Sequence, residues 1–135
     1  MTVLRLLFDA SSIIYALKLK RVEILHGNYI QHLTVYEVLN AIWKEAYLVK
    51  SLSYEEAKRF IGIFAEVLEY LNILSIHPYE SEVLKTAIDL DLTAYDASYV
   101  VLTEKNNLTL VTEDEKLREK ASERVKVMSL REVIK

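Results

Sequence analysis

The sequence contains no cysteine, only two glycines and a single proline among its 135 residues. Without cysteine there is no disulfide, no thiolate zinc site and no cysteine nucleophile, which fits a reducing cytoplasm. A bound metal must then be held by oxygen or histidine, and His26, His32 and His77 show no ligand spacing such as H-x₃-H. With few chain breakers there is also no linker, no low-complexity tract and no repeat at a period of roughly 20–50 residues. One domain, Met1 to Lys135, is expected, and a 52% hydrophobic content is enough to give it a core. Scarce glycine and proline beside abundant Glu, Lys, Ile, Leu and Tyr resemble thermophile composition. Long apolar runs are missing too. Residues 3–14 are broken by Arg5 and Asp9 and lack a signal peptide's basic start, and nothing approaches the roughly 18 uncharged residues of a membrane span. A soluble, unexported protein without a membrane partner is expected. Basic excess is absent as well: 17 Lys and Arg stand against 20 Asp and Glu, a formal charge of −3. This argues against gripping nucleic acid through a general positive field, but it allows a site where several acids converge on divalent cations.

What is present is an alternation of short apolar runs with amphipathic stretches. Residues 4–8 are almost wholly apolar, as in a strand buried on both faces of a parallel sheet, and end at Asp9. Ser11 and Ser12 are expected to cap the following helix, whose core stripe is Ile13, Ile14 and Leu17. Residues 29–33 read as a second strand, and Thr34 with Glu37 as a capping box opening a long helix. The apolar stripe of that helix runs Val35, Val38, Leu39, Ile42, Trp43, Ala46 and Val49. Ser53 and Glu56 form another capping box for a helix reaching about residue 72. Residues 73–76 read as a third strand and 80–90 as a helix. Thr93 then caps a further helix with Asp96 in its first turn. The pair Asn106-Asn107 turns the chain into a fourth strand, 108–112, after which Asp114 begins a short helix. A last strand, 125–128, and a tail helix capped by Ser129 and Glu132 complete an α/β pattern with about five parallel strands.

In open α/β sheets, ligands collect beyond the carboxyl ends of the strands, where helix N-termini also point. Asp9, Glu37 and Asp114 follow strands, and Asp96 opens the helix leading into the fourth strand. Four carboxylates gathered without cations raise one another's pKa, and a hard divalent ion such as Mg²⁺ or Mn²⁺ resolves the repulsion with oxygen ligands alone. Such a site needs no serine, cysteine or histidine nucleophile.

The segments LLFDASSII, LTVYEVLNAIWK, LTAYDASYVVL and LTLVTEDEKL resemble, in order and spacing, the successive motif blocks of PIN-domain nucleases, and the similarity spans nearly the whole chain. On that resemblance Asp9, Glu37, Asp96 and Asp114 are the metal ligands. Ser11 or Ser12 supports the first acid, Asn40 lies one helical turn after the second, and Thr112 belongs to a terminal T-x-D element. The resemblance further implies a three-layer α/β/α fold with sheet order 3-2-1-4-5 and hydrolysis of RNA with Mg²⁺ or Mn²⁺. At this length it also implies a VapC-type toxin with a small VapB-type antitoxin, often dimeric. Glu113 or Glu115 would stand for a further acid that many relatives carry.

Each residue also has a plainer reading. Glu37 and Asp96 satisfy capping logic, and the acids around Asp114 complement a helix dipole. Asp89 and Asp91 sit at a helix end and read as solvated. Tyr15 and Tyr95 could stack on bases, and Lys18, Lys20, Arg21, Lys44, Lys50, Arg118 and Lys120 could meet an RNA backbone or be ordinary surface charge. Two rival functions share the fold class: a catalytically silent scaffold or RNA-binding module, and a phosphoacceptor signalling domain. The second lacks paired aspartates at the first strand.

Overall fold

A computed structural model describes residues 4–134; residues 1–3 and 135, the ends of the expected unit, lie outside it. Five parallel strands form one sheet in the order β3-β2-β1-β4-β5. They are β1 (Leu6–Phe8), β2 (Tyr29–Gln31), β3 (Asn72–Leu74), β4 (Thr109–Val111) and β5 (Val127–Met128). The helices are α1 (Ala10–Leu19), α2 (His32–Trp43), α3 (Tyr54–Leu68), α4 (Glu80–Leu90), α5 (Ala94–Lys105), α6 (Glu115–Ala121) and α7 (Leu130–Ile134). This is the α/β/α architecture and strand order expected from the sequence.

Alternation along β1 builds the two cores, because successive side chains leave opposite faces of the sheet. Leu6 and Phe8 pack with Ile13 and Leu17 of α1, Val38 and Ile42 of α2 and Phe64 of α3. Leu7 packs on the other face with Leu110, Tyr99 and Leu102 of α5 and Leu117 of α6. Helix α5 is buried from Ala97 to Thr103, so it lacks the one-sided pattern of a surface helix. Its first turn is thereby anchored against the sheet. Leu110 is wholly buried in this second core. Leu110→Ala is expected to lower unfolding stability by about 2–5 kcal/mol in chemical denaturation. A cost below ~1 kcal/mol would contradict the packing described.

The strands are shorter than expected: β2 ends at Gln31 because α2 begins at His32, whereas β1 and β5 lose residues at their starts. The first helix is capped by Asp9, whose carboxylate accepts the Ser12 N–H, and not by Ser11 or Ser12. The second starts three residues early: Gln31 is its N-cap and donates its N–H to Thr34 Oγ1 at 3.2 Å. The expected Thr34–Glu37 capping box is therefore absent. Gln31 has an extended backbone and a buried amide donating to Ser98 Oγ at 2.7 Å, so the chain turns helical directly after it. The expected caps Ser53, Thr93 and Ser129 are present, each accepting a backbone N–H three residues on.

The second helix also departs from its expected core stripe. Val38 and Ile42 are buried, whereas Trp43 is 48% exposed and Val49 65%. A π-helical turn over Lys44–Leu48 replaces the regular spiral there, rotating later side chains off the core-facing line. Trp43 stacks on Tyr47 at the surface, and an open groove of about 320 Å³ runs between Leu39, Trp43, Tyr54 and Ile61.

Candidate active site

The carboxyl ends of β1 and β4 lie side by side, with Phe8 opposite Val111. In this strand order the connections leave β1 and β4 in opposite directions, opening a crevice between them. Asp9 follows β1 directly and is 6% exposed. Thr112 follows β4 and is fully buried, and two residues later Asp114 caps α6 by accepting the Leu117 N–H at 3.1 Å. From opposite faces of the sheet, α2 contributes Glu37 and the first turn of α5 contributes Asp96, both half-buried.

Asp9 is the most firmly held of these acids. Its Oδ1 accepts from Ser11 Oγ at 2.7 Å and from the Ser12 N–H at 3.0 Å, and its Oδ2 accepts from Thr112 Oγ1 at 2.5 Å. The Thr112 hydroxyl in turn accepts the Asp114 N–H at 3.1 Å, and Ser11 Oγ accepts the Glu113 N–H at 3.0 Å. The loop after β4 is thus stitched to the loop after β1 through the two hydroxyls. Glu37 is held differently: Tyr99 Oη donates to its Oε1 at 2.6 Å.

Electrostatics join the acids into one group. Burial raises the Asp9 pKa above the usual aspartate value, against the hydrogen bonds that favour its charged form. Burial also raises Glu37, against the Tyr99 bond and with help from the charges of Asp9 and Asp96. Asp96 is raised by burial, then by the charges of Asp114 and Asp9, while Lys116 opposes the shift. Each of the four therefore feels another member of the set or is felt by it. Among the described residues no three of them converge closely enough to enclose a metal ion by themselves. The donor set nevertheless suits a hard cation that keeps several waters, since it is all carboxylate, mutually repelling and open on one side.

No family model matches the chain. Among curated proteins, 101 residues are 40% identical to Exonuclease VapC9 of Pyrobaculum aerophilum, covering 75% of this chain and 72% of that one. A further 92-residue match, 41% identical, is to Ribonuclease VapC3 of the same organism, covering 65% and 66%. This chain belongs to the VapC family of PIN-domain toxins. Among solved structures, the crystal structure of PAE2754 from Pyrobaculum aerophilum superposes with a TM-score of 0.81 at 30% identity, covering 97% of this chain and 93% of that one. The fold shared with that structure therefore extends over almost all of the chain.

Within this VapC domain the remaining expected residues separate. Ser11 and Thr112 contact Asp9 directly. Asn40 is exposed one turn beyond Glu37 on α2 and takes no part in these bonds. Glu113 does not join the acids, because its Oε2 accepts the Leu130 N–H at 2.7 Å and fixes the start of α7. Glu115 is exposed in the first turn of α6. Two contributors escaped the sequence reading. Lys116 is the cation set against Asp96, and Tyr99 holds Glu37. Tyr99 did leave a signal: it is a tyrosine beside Val100, Val101 and Leu102 in a helix buried all round, so its hydroxyl needed a partner.

Proposed function

We propose that this VapC-type protein is a divalent-metal-dependent endoribonuclease, with Asp9, Glu37, Asp96 and Asp114 holding Mg²⁺ or Mn²⁺. The observation that carries this reading is that four acids lie within electrostatic reach of one another beyond the carboxyl ends of β1 and β4, where burial raises the pKa of Asp9, and burial together with neighbouring carboxylates raises those of Glu37 and Asp96. When bound, the cation would neutralise charge on the transferring phosphoryl group and polarise the attacking water. The chain's own part is positional. Ser11 and Thr112 keep Asp9 in one orientation, Tyr99 keeps Glu37 in another, and the starts of α5 and α6 place Asp96 and Asp114.

Cutting within a chain, instead of from its end, is supported by the open flanks of the site. On one side a concavity of about 320 Å³ includes Ser11, Tyr15 and Lys18. On the other, a concavity of about 360 Å³ includes His32, Tyr95 and Ser98. A single strand can thus enter along one flank and leave along the other. As a toxin, the protein would be silenced by a small antitoxin, and the exposed groove between α2 and α3, flanked by Trp43 and Tyr54, is an apolar surface open to one.

A circular single-stranded RNA tests the reading, because it has no end for an exonuclease to start from. Linearisation with Mn²⁺ or Mg²⁺, and none with chelator, is the expected result. Activity that survives chelation would overturn the metal mechanism, and digestion of linear RNA only would overturn internal cutting.

A further inference from the structure

The contact between Tyr99 and Glu37 is the end of a chain of hydrogen bonds whose direction can be deduced. The Gln31 N–H can only donate, and it donates to Thr34 Oγ1 at 3.2 Å. Thr34 therefore accepts there and retains its own proton. At the other end the Glu37 carboxylate accepts, so Tyr99 Oη spends its single proton on Glu37 Oε1 at 2.6 Å. The 2.8 Å contact between Thr34 Oγ1 and Tyr99 Oη must then run from threonine to tyrosine. Every bond points the same way, from the cap of α2 towards Glu37. Thr34 is fully buried and Tyr99 is 1% exposed, so water does not compete for these hydroxyls and each bond is strengthened by the low local dielectric.

We propose that Tyr99, oriented by Thr34, is a positioning residue that presents Glu37 to the metal. The inference rests on the metal-dependent reading above. Among the described residues Oε1 is the only Glu37 oxygen with a protein hydrogen bond, which leaves Oε2 for a cation. Tyr99 comes from α5, the helix that carries Asp96 one turn earlier. Glu37 on α2 is thus tied to the element that holds another member of the acid set. The separation of 62 residues between the partners makes this a tertiary bond.

Mn²⁺ titration by calorimetry without RNA tests the proposal. Tyr99→Phe removes one oxygen and keeps the ring, and should weaken Mn²⁺ binding about 10–100-fold, the usual cost of losing a partner that orients a ligand. Thr34→Val should weaken it in the same direction, and Thr34→Ser, which keeps the hydroxyl, should restore it. In a Glu37→Gln background Tyr99→Phe should change Mn²⁺ affinity by less than about twofold, because the carboxylate it serves is gone. A hydroxyl that merely satisfies the core would lower the melting temperature in both backgrounds and leave Mn²⁺ affinity alone. Wild-type affinity in Tyr99→Phe, or equal weakening in both backgrounds, would overturn the inference while leaving the nuclease reading standing. A wild-type protein that binds no Mn²⁺ would overturn both.

Discussion

Asp96→Asn is expected to cut RNA cleavage by about a hundredfold or more and, at neutral pH, to raise the melting temperature of the metal-free protein. Loss of activity follows from the ligand role proposed for Asp96, whose removal should cost no less than the upper end of the 10–100-fold range typical of a ligand's supporting partners. The gain in stability follows from the environment of Asp96. Burial and the charges of Asp114 and Asp9 disfavour its ionised form, and Lys116 offsets only part of this. Its backbone N–H ties this residue to the cap by donating to Thr93 Oγ1, a bond that survives the substitution. Asparagine thus removes a repelled charge and leaves the capping bond intact. Each kcal/mol recovered should appear as a rise of about 2–8 °C in a thermal melt. A variant that cuts like wild type, or melts lower without metal, would contradict the arrangement of acids described above.

Mn²⁺ itself should give the second large effect. At a hundred times its dissociation constant a bound ion contributes about 2.7 kcal/mol, on the order of 10 °C in melting temperature. The pH dependence has a definite sign. Asp9, Glu37 and Asp96 have folded-state pKa values above their ordinary values of 3.8 for aspartate and 4.5 for glutamate. Between the ordinary and the raised values the folded state binds more protons than the unfolded one, so metal-free stability increases as pH falls through that window. Above the raised values the repulsion is fully present, and there the cation relieves most. The Mn²⁺-induced rise should therefore be larger near about pH 8 than near about pH 5, since at the lower value protons compete for the same oxygens. Differential scanning fluorimetry at the two pH values reads this directly. An equal rise at both, or the same rise in Asp96→Asn, would place the ion elsewhere.

Much of the site's location was visible in one dimension. A largely apolar run ending in Asp9, a second ending in Thr112 and a helix opened by Thr93 put acids where α/β sheets gather ligands. The cap of the second helix was misread because two pairs share a three-residue spacing: Gln31 with Thr34, and Thr34 with Glu37. Which pair closes depends on where β2 stops pairing with its neighbours, and β2 stops at Gln31. That shift frees Glu37 from any duty as a cap and turns Thr34 into a link towards Tyr99. Trp43 shares an exposed flank of α2 with Leu39, one residue round the helix from the buried Val38 and Ile42, whereas Val49 lies beyond the π turn, which helical spacing cannot foresee.

By itself, then, the sequence determined the element order and which acids stand at strand exits and helix starts, because apolar periodicity and capping are local. Only the tertiary structure decided which hydroxyl reaches which carboxylate. Thr112 and Asp9 are 103 residues apart, and they meet because β1 and β4 pair with Phe8 opposite Val111. Tyr99 and Glu37 meet because α5 packs on one face of the sheet and α2 on the other, and the two side chains reach each other past β2. A bond spanning so much chain has no period to betray it, since it exists only after both partners have been packed.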